Sequence, residues 1–271
     1  MEQAATLQQE ICALLGNHPW QALMHVVDST DSTNSHLKRM AQEGAPAGTC
    51  LVALEQTGGR GRLGRSFSSP RGQGLYFSLL LRPKCAPIEA GHITAMTAVA
   101  AADAVETACG LRPKIKWTND LVLNQKKLSG ILCEMDADFA ANRINSIILG
   151  IGINVNQKSE DFPEELQNIA TSLRLATRQE LPLAPLTAAL VKRLSQMSSG
   201  LLCDKELWLR RYRQDCITLG KEVKILRGGE TRYARALDID EDGGLIVRYT
   251  DGQIATVSSG EVSVRGIYGY V

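Results

Sequence analysis

Along the 271-residue chain the spacing of apolar positions changes repeatedly, and each change marks an element. Over residues 4–15 the apolar side chains recur three and four apart, up to Gly16 and the breaker Pro19, which predicts a short amphipathic helix. This helix and its tail, residues 1–19, read as an N-terminal arm. Residues 25–27 predict a strand; Ser32 or Thr33 can cap a helix running to about Gln42, with Gly44 as its stop. Continuous apolar runs at 49–55 and 75–81 read as buried strands, and alanine-rich 90–109 as a buried helix. Strands follow at 114–117, at 121–123 and 128–135 paired across Asn124-Gln125, and at 146–154; helices at 185–202 and 206–215 close this region.

Past Cys216 the period shortens to two. Strands are expected at 222–226, 231–239, 245–249, 254–258 and 261–264, separated by the turn signals Gly228-Gly229, Asp242-Gly243-Gly244 and Asp251-Gly252. This pattern predicts a small all-β barrel of about fifty residues. The expected organisation is therefore α+β: an arm at 1–19, a main domain at 20–216 and a barrel at 217–271.

Composition adds limits rather than detail. With 44% apolar residues, 22% charged residues and a net charge of +1, the chain belongs with ordinary globular proteins, not with disordered or nucleic-acid-coating ones. Seven scattered cysteines without a C-x-x-C pair argue against a disulfide framework and for a reducing compartment. The N-terminus lacks the basic region of a signal peptide, and no apolar stretch reaches spanning length, so a cytoplasmic protein away from membranes is expected. The histidines, His18, His25, His36 and His92, show no paired helical spacing for a transition metal.

One stretch fits neither period. Residues 56–74 are rich in Gly, Arg and Ser and must form a long loop, of the kind that is usually functional. Within it, Gly59 to Gly64 spells G-x-G-x-x-G and Gly59 to Ser66 nearly spells a P-loop, but both motifs need a helix to begin there. The following Phe67-Ser68-Ser69-Pro70-Arg71-Gly72 cannot supply one. Between Glu55 and Glu89 there is no acidic residue, yet Arg60, Arg62, Arg65, Arg71, Arg82 and Lys84 fall in that interval. Guanidinium forks on a glycine backbone suit phosphate oxygens; a solvated basic loop is the plainer alternative.

Around this loop, five strings stand in order: Ser32-Thr33-Asn34, the segment from Gln56 to Arg65, Lys116-Trp117-Thr118-Asn119-Asp120, Lys127-Leu128-Ser129-Gly130-Ile131-Leu132, and Gly150-Ile151-Gly152-Ile153-Asn154. In order and spacing they resemble the biotin protein ligase family, and the barrel resembles that family's SH3-like C-terminal domain. Leu63, Phe67 and Thr118 depart from the arginine, tryptophan and proline usual there. The resemblance implies a mixed β-sheet flanked by helices, like the catalytic domains of class II aminoacyl-tRNA synthetases. It further implies activation of biotin by ATP, with Mg²⁺, to biotinyl-5'-AMP, and transfer to a lysine of the biotin carboxyl carrier domain of acetyl-CoA carboxylase or a related carboxylase.

Roles follow from the ligand's chemistry. A ureido ring needs a few buried hydrogen-bonding groups in an apolar slot. By resemblance Ser32, Thr33, Asn34 and Gln56, with Gly59, Arg60, Gly61 and Arg62, hold that end, although Ser32 or Thr33 could simply cap a helix. Gly130, Gly150 and Gly152 would leave room for a ring against the backbone; for Gly150 and Gly152 a β-bulge is the alternative. Arg60, Arg62 and Lys127 are the catalytic candidates, with Lys127 bridging the biotin carboxylate and the α-phosphate. Arg65, Phe67, Lys116, Asn119, Asp120 and Asn154 join Arg60, Arg62 and Lys127 as candidates for the adenylate, Asp120 also for Mg²⁺; an ordinary strand-end ion pair is the alternative for Lys116 and Asp120. The loop at 56–74 is expected to close over the adenylate and exclude water.

Three rival readings remain on sequence alone: a lipoate or octanoate ligase, a biotin-responsive DNA-binding repressor, and a barrel acting as an independent binding module. About 24 residues precede the first site strand, too few for a winged helix, so no DNA contact is expected. Exposed sheet edges could pair two copies into a homodimer, but the sequence does not set the oligomeric state.

Overall fold

The computed structural model describes residues 2–227, 229–258 and, for the backbone alone, 262–266. Its elements run α1 (Glu2–Leu15), β1 (Met24–Thr30), α2 (Thr33–Gln42), β2 (Cys50–Gln56), β3 (Gly74–Leu81), α3 (Ile93–Cys109), β4 (Lys114–Lys116), β5 (Asp120–Leu123), β6 (Lys126–Asp138) and β7 (Arg143–Asn154). They continue through α4 (Leu173–Thr177), α5 (Leu183–Ser199) and α6 (Lys205–Asp215) to β8 (Glu222–Arg227), β9 (Glu230–Ile239), β10 (Leu245–Tyr249), β11 (Ile254–Val257) and β12 (Val262–Gly266).

Strands β1 to β7 form one sheet in the order β1-β2-β3-β7-β6-β5-β4, in which β1 and β2 are parallel and the other neighbours antiparallel. The sheet is thus mixed, as expected. Every residue of β3 is buried, which explains its unbroken apolar run: both faces are covered. Asn124 and Gln125 both have positive φ, 49° and 62°, the geometry of a tight turn whose twist matches the strands it joins. The β6–β7 hairpin runs further than the apolar pattern, to Asp138 and from Arg143, because its outer rungs are polar and pair beyond the core.

Alanines make α3 thin. Ala98, Ala100, Ala101, Ala102 and Ala104 are fully buried, so the helix can lie close to its neighbours, against α5, α6 and β6. Gly110, at φ 74°, ends it and donates its N–H to Glu106 O at 2.8 Å. Helix α1 is no loose arm. Its stripe Ala4, Leu7, Ile11 and Leu15 is part of the main core, packed on α5 and β1, and Gln8 Oε1 accepts the Val26 N–H at 3.0 Å. Short helix α4 and the single turns near residues 160 and 165 lay outside the sequence pattern, being too brief to show a period.

The second sheet is antiparallel, ordered β11-β10-β9-β8-β12. Gly228 and residue 261, assigned from sequence to a turn and to the start of the last strand, lie outside the described residues. Val223, Ile225, Ala234, Ala236, Leu245 and Val247 bury the inner face and join the core of the main domain. Two hydrogen bonds fix the junction: Trp117 Nε1 donates to Gly243 O and Trp117 N to Thr218 Oγ1, each at 2.9 Å. Among the described residues no helix is long and apolar enough to cross a membrane.

Candidate active site

A cavity of about 940 Å³ opens where the long loop, the centre of the large sheet and the barrel meet. Its floor is apolar, built from Phe77, Ile131, Leu132 and Ile151. Its walls are charged: Arg60, Arg62, Arg65, Lys116, Lys127 and Lys224 line it with one carboxylate among the described lining residues, that of Asp120, while Glu134, behind the lining, pairs with Arg60. A chain with a net charge of +1 overall has therefore gathered an excess of cations in one place, which suits a ligand carrying several negative charges.

At the apolar end a chain of polar side chains is held rigid. Ser32 has the backbone geometry of a helix cap but makes no side-chain cap bond, and it lines the cavity instead. Thr33 and Asn34 begin α2 and are buried. Gln56 Oε1 accepts from Thr33 N at 2.8 Å and from Thr33 Oγ1 at 3.1 Å, while Gln56 Nε2 donates to Ser69 Oγ at 2.8 Å. Ser78 Oγ lies 2.7 Å from Asn34 Oδ1 and 2.8 Å from Thr33 Oγ1. Asn34 Nδ2 donates to Glu134 Oε2 at 2.8 Å and to Leu132 O at 3.3 Å. Such a connected buried network fixes the direction of each donor and acceptor before a ligand arrives.

The loop is more ordered than its composition suggests. Gly61 N donates to Arg65 O at 2.7 Å and Phe67 N to Gly59 O at 2.9 Å, so the chain folds back on itself about a tip at Arg62–Gly64. Leu63, at φ 57°, takes a left-handed conformation at that tip with its side chain exposed. Arg62 donates to Asn119 Oδ1 at 3.2 Å. Burial pushes its pKa down, with the Asp120 carboxylate opposing and Arg65 reinforcing that shift, so the desolvated guanidinium gains from any anion placed beside it. Arg71 and Arg82 serve the scaffold. The first pairs with Asp28, and the second donates to the carbonyls of Ala41, Ala45 and Asn145.

The opposite wall carries the Lys116–Asp120 string. Tyr212 of α6, fully buried, donates its hydroxyl to Thr118 O at 3.0 Å behind it, and the Trp117–Thr118 peptide is cis. Lys127 Nζ lies 2.7 Å from Asp120 Oδ1. The Lys127 backbone is pinned on both sides, donating to Ile169 O at 2.7 Å and accepting from Thr171 N at 2.8 Å. Lys127, Asp120, Asn119 and Arg62 thus converge on one side of the cavity, while the amides and hydroxyls occupy the other and Arg60 is joined to them through Glu134.

Of the residues assigned from sequence to biotin, the adenylate or catalysis, all but Gly59 and Asn154 line this cavity, and of the basic run Arg71, Arg82 and Lys84 do not. Gly59 sits beneath the loop, where a Cβ would come within 2.2 Å of Phe67 O. Asn154 is tied into the scaffold, its amide donating to Thr171 O at 3.0 Å. The glycine argument also needs correcting. The space above Gly150 is filled by the Asn34 amide and that above Gly152 by the Phe67 ring, so these two glycines make room for the protein's own site residues, whereas a Cβ at Gly130 would meet Lys127 Nζ at an ordinary 3.4 Å. Tyr76, Ile169 and the barrel residues Lys224, Leu226, Thr231 and Tyr233 also line the cavity but carried no sequence signal. Their part depends on contacts between distant segments.

Residues 26–154 match the profile of the biotin/lipoate A/B protein ligase family, and residues 218–265 that of the biotin protein ligase C-terminal domain. The biotin--[acetyl-CoA-carboxylase] ligase of Mycobacterium tuberculosis is 32% identical over 260 residues, covering 90% of this chain and 89% of that protein. This chain belongs to the biotin protein ligases. The bifunctional ligase/repressor BirA of Bacillus subtilis is 38% identical over 230 residues, 83% of this chain and 69% of that protein. Among solved structures, the biotin protein ligase of Aquifex aeolicus in complex with biotin and ATP superposes with a TM-score of 0.76 at 31% identity, covering 90% of this chain and 98% of the other. In this ligase the matched C-terminal domain supplies the four barrel residues of the cavity wall.

Proposed function

We propose that the cavity binds biotin at its apolar, amide-lined end and ATP at its cationic end, joins them as biotinyl-5'-AMP, and passes biotin to a lysine of a carboxylase carrier domain. The observation that carries this reading is the polarity of one continuous cavity: neutral hydrogen-bonding groups over an apolar floor at one end, clustered cations at the other. Ser32, Thr33, Asn34 and Gln56 meet the ureido group, and Phe77, Ile131 and Ile151 the bicycle.

In the first step a biotin carboxylate oxygen attacks the α-phosphorus of ATP, forming the mixed anhydride as pyrophosphate leaves. Charge then builds on the α-phosphate oxygens and the leaving group. In this reading Lys127 bridges the carboxylate and the α-phosphate, and Arg60, Arg62 and Arg65 offer guanidinium forks to the phosphates. Lys116, Asn119 and Asp120 contact the adenylate. Among the described residues no three His, Cys, Asp or Glu gather to hold an ion unaided. Asp120 and Asn119 offer hard oxygens that fit Mg²⁺ held chiefly by phosphate, where the ion would neutralise charge. In the second step the amine of the acceptor lysine attacks the anhydride carbonyl, AMP departs, and the amine loses a proton to form the amide.

Closure of residues 56–74 over the intermediate would keep water from that carbonyl. Arg60, Arg62 and Arg65 are trypsin sites in this loop, so limited tryptic cleavage there should slow severalfold once biotinyl-AMP has formed. Equal cleavage with and without the adenylate would count against the lid. The full reaction is tested by incubating the enzyme with biotin, ATP and a biotin carboxyl carrier domain: one lysine of the carrier should gain a single biotin, and no carrier modification would overturn the assignment.

A further inference from the structure

Glu134, on β6, stands outside the motifs and has so far entered only as a hydrogen-bond acceptor. Its two carboxylate oxygens serve different parts of the site. Oε2 accepts the Asn34 amide at 2.8 Å, and Oε1 lies 3.2 Å from Arg60 Nη1. Asn34 is buried at the start of α2, whereas Arg60 belongs to the loop and its side chain is about half exposed. The carboxylate therefore joins a fixed element to a projecting one across the wall of the cavity.

The connections extend beyond this pair. Asn34 Oδ1 is held by Ser78, Ser78 touches Thr33, Thr33 is bound to Gln56, Gln56 to Ser69, and Ser69 Oγ donates to Phe67 O at 3.0 Å. Arg60 and Phe67 are the two sides of the loop where it folds back, so the network holds both. Glu134 is its charged terminus. Because an asparagine amide can be turned end for end, its orientation depends on its partners. A carboxylate only accepts, so Glu134, through a shorter bond than the one to Leu132 O, obliges Asn34 to present Nδ2 to it and Oδ1 to Ser78.

We infer that Glu134 is a positioning residue for the biotin end of the site: it sets the orientation of the Asn34 amide and holds Arg60 beside it, so that the loop approaches the ligand in one register. This rests on the ligase assignment proposed above. Removing the carboxylate leaves the longer, 3.3 Å bond to Leu132 O to orient Asn34 Nδ2, and Arg60 without this tether. Hydrogen bonds to charged groups contribute enough that the loss should raise the KM for biotin by about tenfold or more.

The test is steady-state biotin-dependent ATP–pyrophosphate exchange on the full chain with Glu134→Ala and Glu134→Gln. For Glu134→Ala the KM for biotin should rise about tenfold, well above any rise in the KM for ATP that comes from loosening Arg60. Glu134→Gln keeps an acceptor for Asn34 and loses the ion pair, so its KM for biotin should fall between the two, and trypsin should cut its ligand-free loop faster than in the unaltered enzyme. An unchanged KM for biotin in Glu134→Ala, or an equal rise in both KM values, would overturn the positioning role while leaving the ligase assignment intact. Absence of exchange in the unaltered enzyme would overturn both.

Discussion

Replacing Lys127 by alanine should lower the rate of biotin-dependent ATP–pyrophosphate exchange by about 100-fold to 1000-fold, the scale seen when one donor to a developing oxyanion is lost. The binding of biotin measured without ATP should change by less than about fivefold, because the ureido end of the cavity is built from other residues. The physical reason lies in how Lys127 is held. Its backbone is clamped between β5 and residues 169–171, and its ammonium rests on Asp120. A cation positioned in advance needs little reorganisation when charge appears on the phosphate. Removing it also leaves Asp120 without this counter-ion facing an incoming triphosphate, so the KM for ATP should rise as kcat falls. Loss of biotin binding with kcat intact would instead place Lys127 at the wrong end of the reaction.

The second large effect is expected at Gly150. A methyl group there would lie 2.2 Å from Asn34 Oδ1 and 2.8 Å from Asn34 Cγ. The amide cannot yield cheaply, since it is bonded to Ser78, Leu132 and Glu134 at once. Gly150→Ala should therefore cost about 1–3 kcal/mol of stability through overpacking, with a further loss if a buried polar atom goes unpaired. Denaturant unfolding measures this, and biotin affinity should fall by at least about tenfold as the network shifts. Gly152→Ala provides the comparison. Its methyl would meet the Phe67 ring at 2.6 Å, but Phe67 sits on the loop and can swing aside, so the stability cost should be smaller. A larger loss at Gly152 than at Gly150 would contradict the assignment of Asn34 as the fixed element.

These two sites show what the sequence could and could not disclose. The loop was legible because glycine and arginine without acidic residues cannot form a buried element, and the strands around it because their apolar runs have few other uses. The ordered strings from Ser32 to Asn154 marked about two thirds of the cavity lining. What they could not show is which residue fills which space. Gly150 and Gly152 looked like room for a ligand, and the room is taken by Asn34 and Phe67. Helix α1 looked like an arm because one amphipathic helix at a chain end has no visible partner; its partners, α5 and β1, lie far along the chain or across a turn. Lys224 and Tyr233 alternate along ordinary barrel strands, and only the docking of the barrel turn on Trp117 brings them to the cavity. Glu134 was invisible for the same reason, since its two partners come from α2 and the loop.

The shared-fold rival, a lipoate or octanoate ligase, differs at the end of the cavity that meets the acyl donor. A dithiolane or a plain fatty chain has no ureido group to meet the donors and acceptors that Ser32, Thr33, Asn34 and Gln56 bring to the cavity, and a site built to hydrogen-bond its substrate rejects an analogue that lacks those groups. The cationic end would serve either ligand. The most direct measurement is therefore ATP–pyrophosphate exchange with biotin or lipoate as the only acyl substrate, at equal concentrations and with Mg²⁺ present. Exchange should require biotin and remain near background with lipoate; exchange stimulated by lipoate and not by biotin would contradict the account.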